Sequence, residues 1–170
     1  AFDGYMASST AVQVKVVLTA INDAPTANNA ILTTIAEDIS NASNTGTAVS
    51  VITAYCTDID GVAVTGIAIT AVNNTNGIWE YSTNSGTNWT AISGVSDSSA
   101  LLLAGNIAAH RVRFRPNADW NGTTTITFRA WDRTTGTAGT FEDVSINGGT
   151  TAYSSGSATG TLTVAPVNDV

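Results

Sequence analysis

Short apolar runs with a two-residue period, each cut off by a turn cluster, leave this chain little choice of architecture. In Thr10-Ala11-Val12-Gln13-Val14-Lys15-Val16-Val17-Leu18-Thr19, the residues Val12, Val14, Val16 and Leu18 share one face, the alternation of a half-buried strand. Further β-rich runs cover 47–56, 62–72, 77–82, 88–92, 110–115, 123–131 and 157–165. They are divided by turn clusters such as Asp60-Gly61, Asn73-Asn74-Thr75-Asn76-Gly77 and Asn121-Gly122. No segment of useful length has helical periodicity, and only 98–105 (Ser-Ser-Ala-Leu-Leu-Leu-Ala-Gly) reads as a short helical turn. This number of strands predicts an all-β, two-sheet sandwich.

Composition narrows the function classes. The 170 residues fit one domain of ordinary size, and 43% hydrophobic residues can build its core. Charged residues reach only 11%, against roughly 25% in average domains, so hydroxyls and amides keep the surface wet. Thirteen acids against six bases give a net charge of −7. That argues against nucleic acid, whose binding rests on cationic contacts to phosphate, and against an anionic membrane surface; it suits cations. No run of about 18 apolar residues appears, so no membrane insertion is expected. The single cysteine, Cys56, forms no internal disulfide and reads as a small buried apolar group.

The chain also echoes itself. Residues 8–23 (SSTAVQVKVVLTAIND) and 154–169 (SSGSATGTLTVAPVND) share Ser-Ser, an alternating strand, then Asn-Asp. The first copy therefore reads as the last strand of a preceding module, with linker, over 1–23, and the complete module as 24–170. The first residue is Ala and the last residues fall in the middle of the recurring motif, which predicts a piece of something longer. Strand 10–19 is surplus to the complete module. A lone apolar strand is an aggregation hazard, so it pairs within a longer chain or is donated to an identical neighbouring subunit.

With INDAP and APVND bracketing an all-β module, the chain resembles the cadherin-like tandem repeats of giant bacterial surface proteins. The motifs that carry the likeness are AED (36–38), TDIDG (57–61), GIWEYSTNSGTNW (77–89), VRFRPNADWNG (112–122), FRAWD (128–132) and VND (167–169). The resemblance implies a cadherin-like or Ig-like β-sandwich in an extracellular stalk, adhesin or fibre. It also implies neighbouring repeats as partners and calcium at the joints.

The residues make a case for calcium of their own, because that ion takes about 6–8 oxygen ligands. Asp58 and Asp60 lie two apart before Gly61, Glu37-Asp38 and Asn22-Asp23 supply more oxygens, and Asp132 ends a strand. If Asn22, Asp23, Glu37, Asp58, Asp60 and Asp132 gather at one pole of a sandwich, a divalent ion would lock them into a stiff joint. Carried over from the resemblance, these positions match the joint ligands of that family, and Asn168 and Asp169 would serve the next joint. The linker has one carboxylate fewer than the Asp-x-Asn-Asp-Asn of eukaryotic cadherins. Plain turn capping by Asn and Asp is the competing reading; calcium is preferred. Asp143-Val144-Ser145-Ile146-Asn147-Gly148 mimics the opening of a calcium loop but lacks its later Glu, and a Gly-rich turn is the better reading there.

Ser82-Thr83-Asn84-Ser85-Gly86-Thr87-Asn88-Trp89 resembles an Asp-box hairpin, a structural element best known from sialidases. In this reading Asn84 bonds backbone amides, Gly86 takes positive φ and Trp89 folds back. Trp79, Tyr81 and Trp89 are possible glycan contacts, with aromatic core packing the alternative. Arg111, Arg113 and Arg115 alternate with Val112 and Phe114, polar out and apolar in; a stripe for an acidic partner is the second reading. Four Asn-x-Ser/Thr sites, at Asn41, Asn73, Asn88 and Asn121, read as by-products of a Thr- and Asn-rich sequence.

Catalysis finds little footing. His110 is the only histidine and reads as structural. No Gly-x-Ser-x-Gly elbow, zinc-ligand set or phosphate-cradling loop appears. The expectation is a non-enzymatic, calcium-stiffened structural repeat of an extracellular surface protein. The alternatives are a filament subunit that donates strand 10–19, and a carbohydrate-binding module using Trp79, Tyr81 and Trp89.

Overall fold

The computed structural model describes residues 19–61 and 63–168. All but the last residue of the expected strand 10–19 therefore lies outside the described residues, as does Asp169. The elements are β1 (Ala30–Ile31), β2 (Ile35–Ala36), β3 (Thr47–Ala48), α1 (Val49–Thr53), β4 (Gly66–Val72), β5 (Gly77–Ser82), β6 (Thr90–Ala91), β7 (Ala100–Ala104), β8 (Arg111–Pro116), β9 (Gly122–Trp131), β10 (Phe141–Glu142) and β11 (Ala158–Ala165). They form two packed sheets, the all-β sandwich expected. The larger runs β1-β11-β9-β4-β7-β10, with β2 also on β11; the smaller runs β3-β8-β5-β6.

The core follows from side-chain alternation. Thr124, Ile126, Phe128 and Ala130 of β9 are buried, as are Leu162 and Val164 of β11. The apolar ones among them meet Trp79, Val112 and Phe114 from the smaller sheet in one cluster. The rings of Trp79 and Phe114 lie 5.4 Å apart, and Trp120 meets Phe114 edge-on at 5.7 Å. Each large apolar side chain buried this way contributes about 1.5–3 kcal/mol.

A second cluster covers the other face of the larger sheet. Ala68, Ala100, Leu102 and Trp131 pack there under Val144, Ala152 and Tyr153, which belong to the long connection between β9 and β11. That layer explains a departure from the sequence reading. Residues 98–105, expected to hold a helical turn, contain β7. All five residues of β7 are buried, because it has protein on both faces. A strand buried on both faces reads as a continuous apolar run and loses the alternation that marks a strand.

The opposite departure occurs at 47–56, expected as a strand. Only Thr47–Ala48 is β; Val49–Thr53 is helical. The buried residues there are Val49, Ile52, Thr53 and Cys56, with Ser50 and Val51 exposed, a spacing of three and four that fits a helix face. β-Branched residues drew the strand reading; burial spacing governs the outcome.

Candidate functional site

β9 is the longest strand among the described residues. Its ten residues span roughly 33 Å at about 3.3 Å each, and the expected ligand residues divide between its two ends. At the leading pole, where Trp131 ends β9, Asn22 donates through Nδ2 to Asp132 Oδ2 at 2.9 Å and to the Thr151 carbonyl at 3.3 Å. The backbone N–H of Asp23 donates to Asp60 Oδ2 at 2.8 Å, and that of Asp60 to Asp58 Oδ1 at 2.9 Å. Ala24 N–H bonds the Gly149 carbonyl at 2.8 Å. Five of the expected ligands, Asn22, Asp23, Asp58, Asp60 and Asp132, thus share this pole.

Glu37 does not join them. β1 and β2 run parallel to β11, so they carry the chain to the far end before Glu37 is reached. There Glu37, only 7% exposed, accepts the Val167 N–H at 2.6 Å and the Asn121 Nδ2 at 2.9 Å. These bonds, the Val167 amide foremost, hold its carboxyl below the ordinary carboxylate value. Asp38 and Asn168 are exposed at this trailing pole. Asn121 was missed as a partner because only the return of β2 beside β11 brings it to Glu37.

Among the described residues, no group of three or more His, Cys, Asp or Glu side chains could hold a metal ion. Asp132 Oδ1 accepts both the N–H and the hydroxyl of Thr134, each at 2.7 Å. Asp58 likewise caps a local N–H group, that of Asp60, so Asp58 and Asp132 act as turn residues here, whereas Asp60 holds the backbone of the distant Asp23. The Asp143 segment is likewise a turn: Asp143 Oδ1 accepts Ser145 N–H at 2.9 Å, and Gly148 and Gly149 have positive φ.

The aromatic hairpin forms as its sequence pattern demands. Asn84 Oδ1 accepts Asn88 N–H at 2.9 Å, Ser82 Oγ accepts Gly86 N–H at 2.9 Å, and Gly86 has φ +85°. A side chain at Gly86 would come within 3.2 Å of the Trp89 ring. Trp79, however, is fully buried and donates through Nε1 to Thr124 Oγ1 at 3.2 Å. Tyr81 packs half-buried against the same core. Trp79 therefore offers no glycan-stacking surface, and of the three aromatics Trp89 alone lies on the outer side of the smaller sheet.

On that outer side lies Arg113, expected to point to solvent, but buried instead. Register pairs Glu80 with Arg113; Arg113 Nε donates to Glu80 Oε2 at 2.7 Å, both residues being at most 8% exposed. Arg113 Nη1 reaches the carbonyls of Asn41 and Asn44 at 3.1 and 3.2 Å, and its guanidinium lies 4.2 Å from the centre of the Trp89 ring. Buried Asn44 donates to the Phe114 carbonyl at 2.8 Å. The opposite charges of Glu80 and Arg113 were visible in the sequence; their register was not.

His110 and Cys56 are structural in their surroundings. His110 Nδ1 accepts Ala104 N–H at 2.9 Å, and burial first, with Arg133 second, pushes its pKa down. Burial pushes the Cys56 thiol up, away from the thiolate form that reacts.

The class that this fold defines is an all-β sandwich of a seven-stranded and a four-stranded sheet. Compared with known protein families, curated proteins and solved structures, the chain matches none.

Proposed function

We propose that this sandwich is a structural repeat of an extracellular stalk, adhesin or fibre, acting mechanically rather than as an enzyme. One observation carries the reading. The chain comes in at Asn22, tied to Asp132, and goes out at Val167, tied to Glu37, at opposite ends of β9. A module threaded end to end can be strung in line with its neighbours without doubling back. Both passages are fixed by side-chain hydrogen bonds, so each linker leaves in a set direction.

Calcium belongs to the proposal at the leading pole only, where Asp23, Asp58, Asp60 and Asp132 would exchange some of their present donors for the ion. Oxygens from residues outside those described would be needed to complete its shell. Small-angle scattering from two copies joined in tandem tests the mechanical reading. A maximum dimension near twice that of one copy supports it; two copies folded side by side refute it. Repeating the measurement, and a thermal melt, with calcium and with a chelator tests the ion separately. A melting temperature several degrees lower in chelator supports it, and superimposable curves remove calcium while leaving the stalk intact.

A further inference from the structure

We propose that the outer face of the smaller sheet carries a subsite for a carboxylate-bearing sugar, a hexuronate, in the cavity beside Arg113 and Trp89. This goes beyond the mechanical reading, since it makes the repeat itself a binding unit. The cavity measures about 350 Å³, at the small end of ligand cavities and of a size for one sugar ring. Loop 41–45 and the hairpin 85–89 wall it. Asn41, Thr45, Ser85, Thr87, Trp89 and Arg113 bring amide, hydroxyl, indole and guanidinium groups to its lining, and no carboxylate or large aliphatic chain lines it. Such walls favour a polyhydroxylated ligand rich in acceptors.

Charge selects an acid. The protein carries −7 overall with only six basic residues, yet Arg111, Arg113 and Arg115 all lie on β8. Glu80 is the carboxylate that meets Arg113 and, at 3.8 Å, Arg115. Arg111 is tied to the cavity rim through the carbonyls of Thr45 and Gly46, at 2.7 and 3.0 Å. The face is therefore a cationic island on an acidic molecule, and it draws anions.

The site is also preorganised. Arg113 is 7% exposed, held by Glu80, two carbonyls and the Trp89 ring, so little side-chain freedom is left to lose on binding. Among the described residues, neither its Nη2 nor the Trp89 Nε1 donates to a protein acceptor. A charge-assisted bond from a fixed guanidinium is the strong kind. An acidic peptide would instead ask for an apolar groove or a long free strand edge, and β6, the strand beside the cavity, has two residues.

The test is a two-dimensional NMR titration of the isotope-labelled full chain with sodium glucuronate, glucose, sodium acetate and a short polyglutamate peptide. Glucuronate is expected to shift the Trp89 indole and Arg113 Nε–H signals saturably, with glucose and acetate weaker by about tenfold or more. Thr45 and Thr87 are exposed, so Thr45→Val/Thr87→Val keeps the fold and should weaken glucuronate binding about fivefold. No saturable shift, shifts away from the cavity, or an unchanged affinity in that folded variant overturns the proposal. So does glucose or acetate matching glucuronate, or the peptide binding more tightly than the sugar.

Discussion

On neighbouring strands β5 and β8, Trp79 is opposite Phe114, and one residue along Glu80 is opposite Arg113. The first pair faces the core and the second faces outward, yet all four residues are at most 8% exposed. The inner pair is covered by the opposing sheet, which needs only shape and apolar area. The outer pair is covered by loop 41–46 and Trp89, and every polar atom shut in there needs a partner. Arg113 meets that demand at Nε with Glu80 and at Nη1 with the carbonyls of Asn41 and Asn44. One face is thus stabilised by volume and the other by mutual satisfaction, and the two respond differently to substitution.

The largest effect is expected inside. Trp79→Ala should cost about 3–5 kcal/mol, by lost transfer energy and a cavity that only partly collapses. Urea unfolding measures it, and a loss under about 1 kcal/mol would mean that the inner face does not depend on volume. Glu80→Ala should cost about 3 kcal/mol, because it strands a buried guanidinium. The double variant Glu80→Met/Arg113→Met should recover much of that loss. A double variant as unstable as the sum of the single ones would erase the distinction between the faces.

A pH response tests the strand start beside them. His110 is neutral in the folded protein, with a pKa below its ordinary value of 6.5, and its charged form could not accept the Ala104 N–H through Nδ1. The unfolded chain therefore binds more protons as pH falls through 6.5, and folding stability is complete above that value and declines below it. A denaturation midpoint lower at pH 5.5 than at 7.5, with the difference reduced in His110→Asn, is the expected outcome; a midpoint that rises on acidification contradicts it. The smallest effect belongs to Arg115→Ala. Its Nε lies 3.8 Å from Glu80 and its side chain is 43% exposed, so the loss should stay within about 0.5 kcal/mol. A larger loss would extend the network of mutual satisfaction beyond Arg113.

Legibility followed exposure. Strands such as β5, β8, β9 and β11 could be read because apolar and polar residue types alternate along them, and on β9 and β11 burial alternates as well. β7 could not, since covering both faces erases the period, and the helical turn at Val49–Thr53 was hidden under β-branched residues. The ligand residues were legible as chemical types and as turn positions. Their division between two poles was not, because it depends on β1 and β2 running parallel to β11. The Asp-box-like hairpin was read down to its Asn84 and Gly86 roles, as the hydrogen bonds of those two residues stay within the hairpin.

The sequence by itself determined the all-β class, the main strands and which residues of β5 and of β8 share a face, since a two-residue period and local turn chemistry need no distant partner. Only the tertiary structure decided which acids share a pole, that Trp79 lies in the core while Trp89 roofs Arg113, and that a cavity opens between loop 41–45 and the hairpin 85–89. Those outcomes rest on pairings between residues 30 to 130 positions apart. Register and sheet order set such pairings, and neither is written in any local stretch of chain.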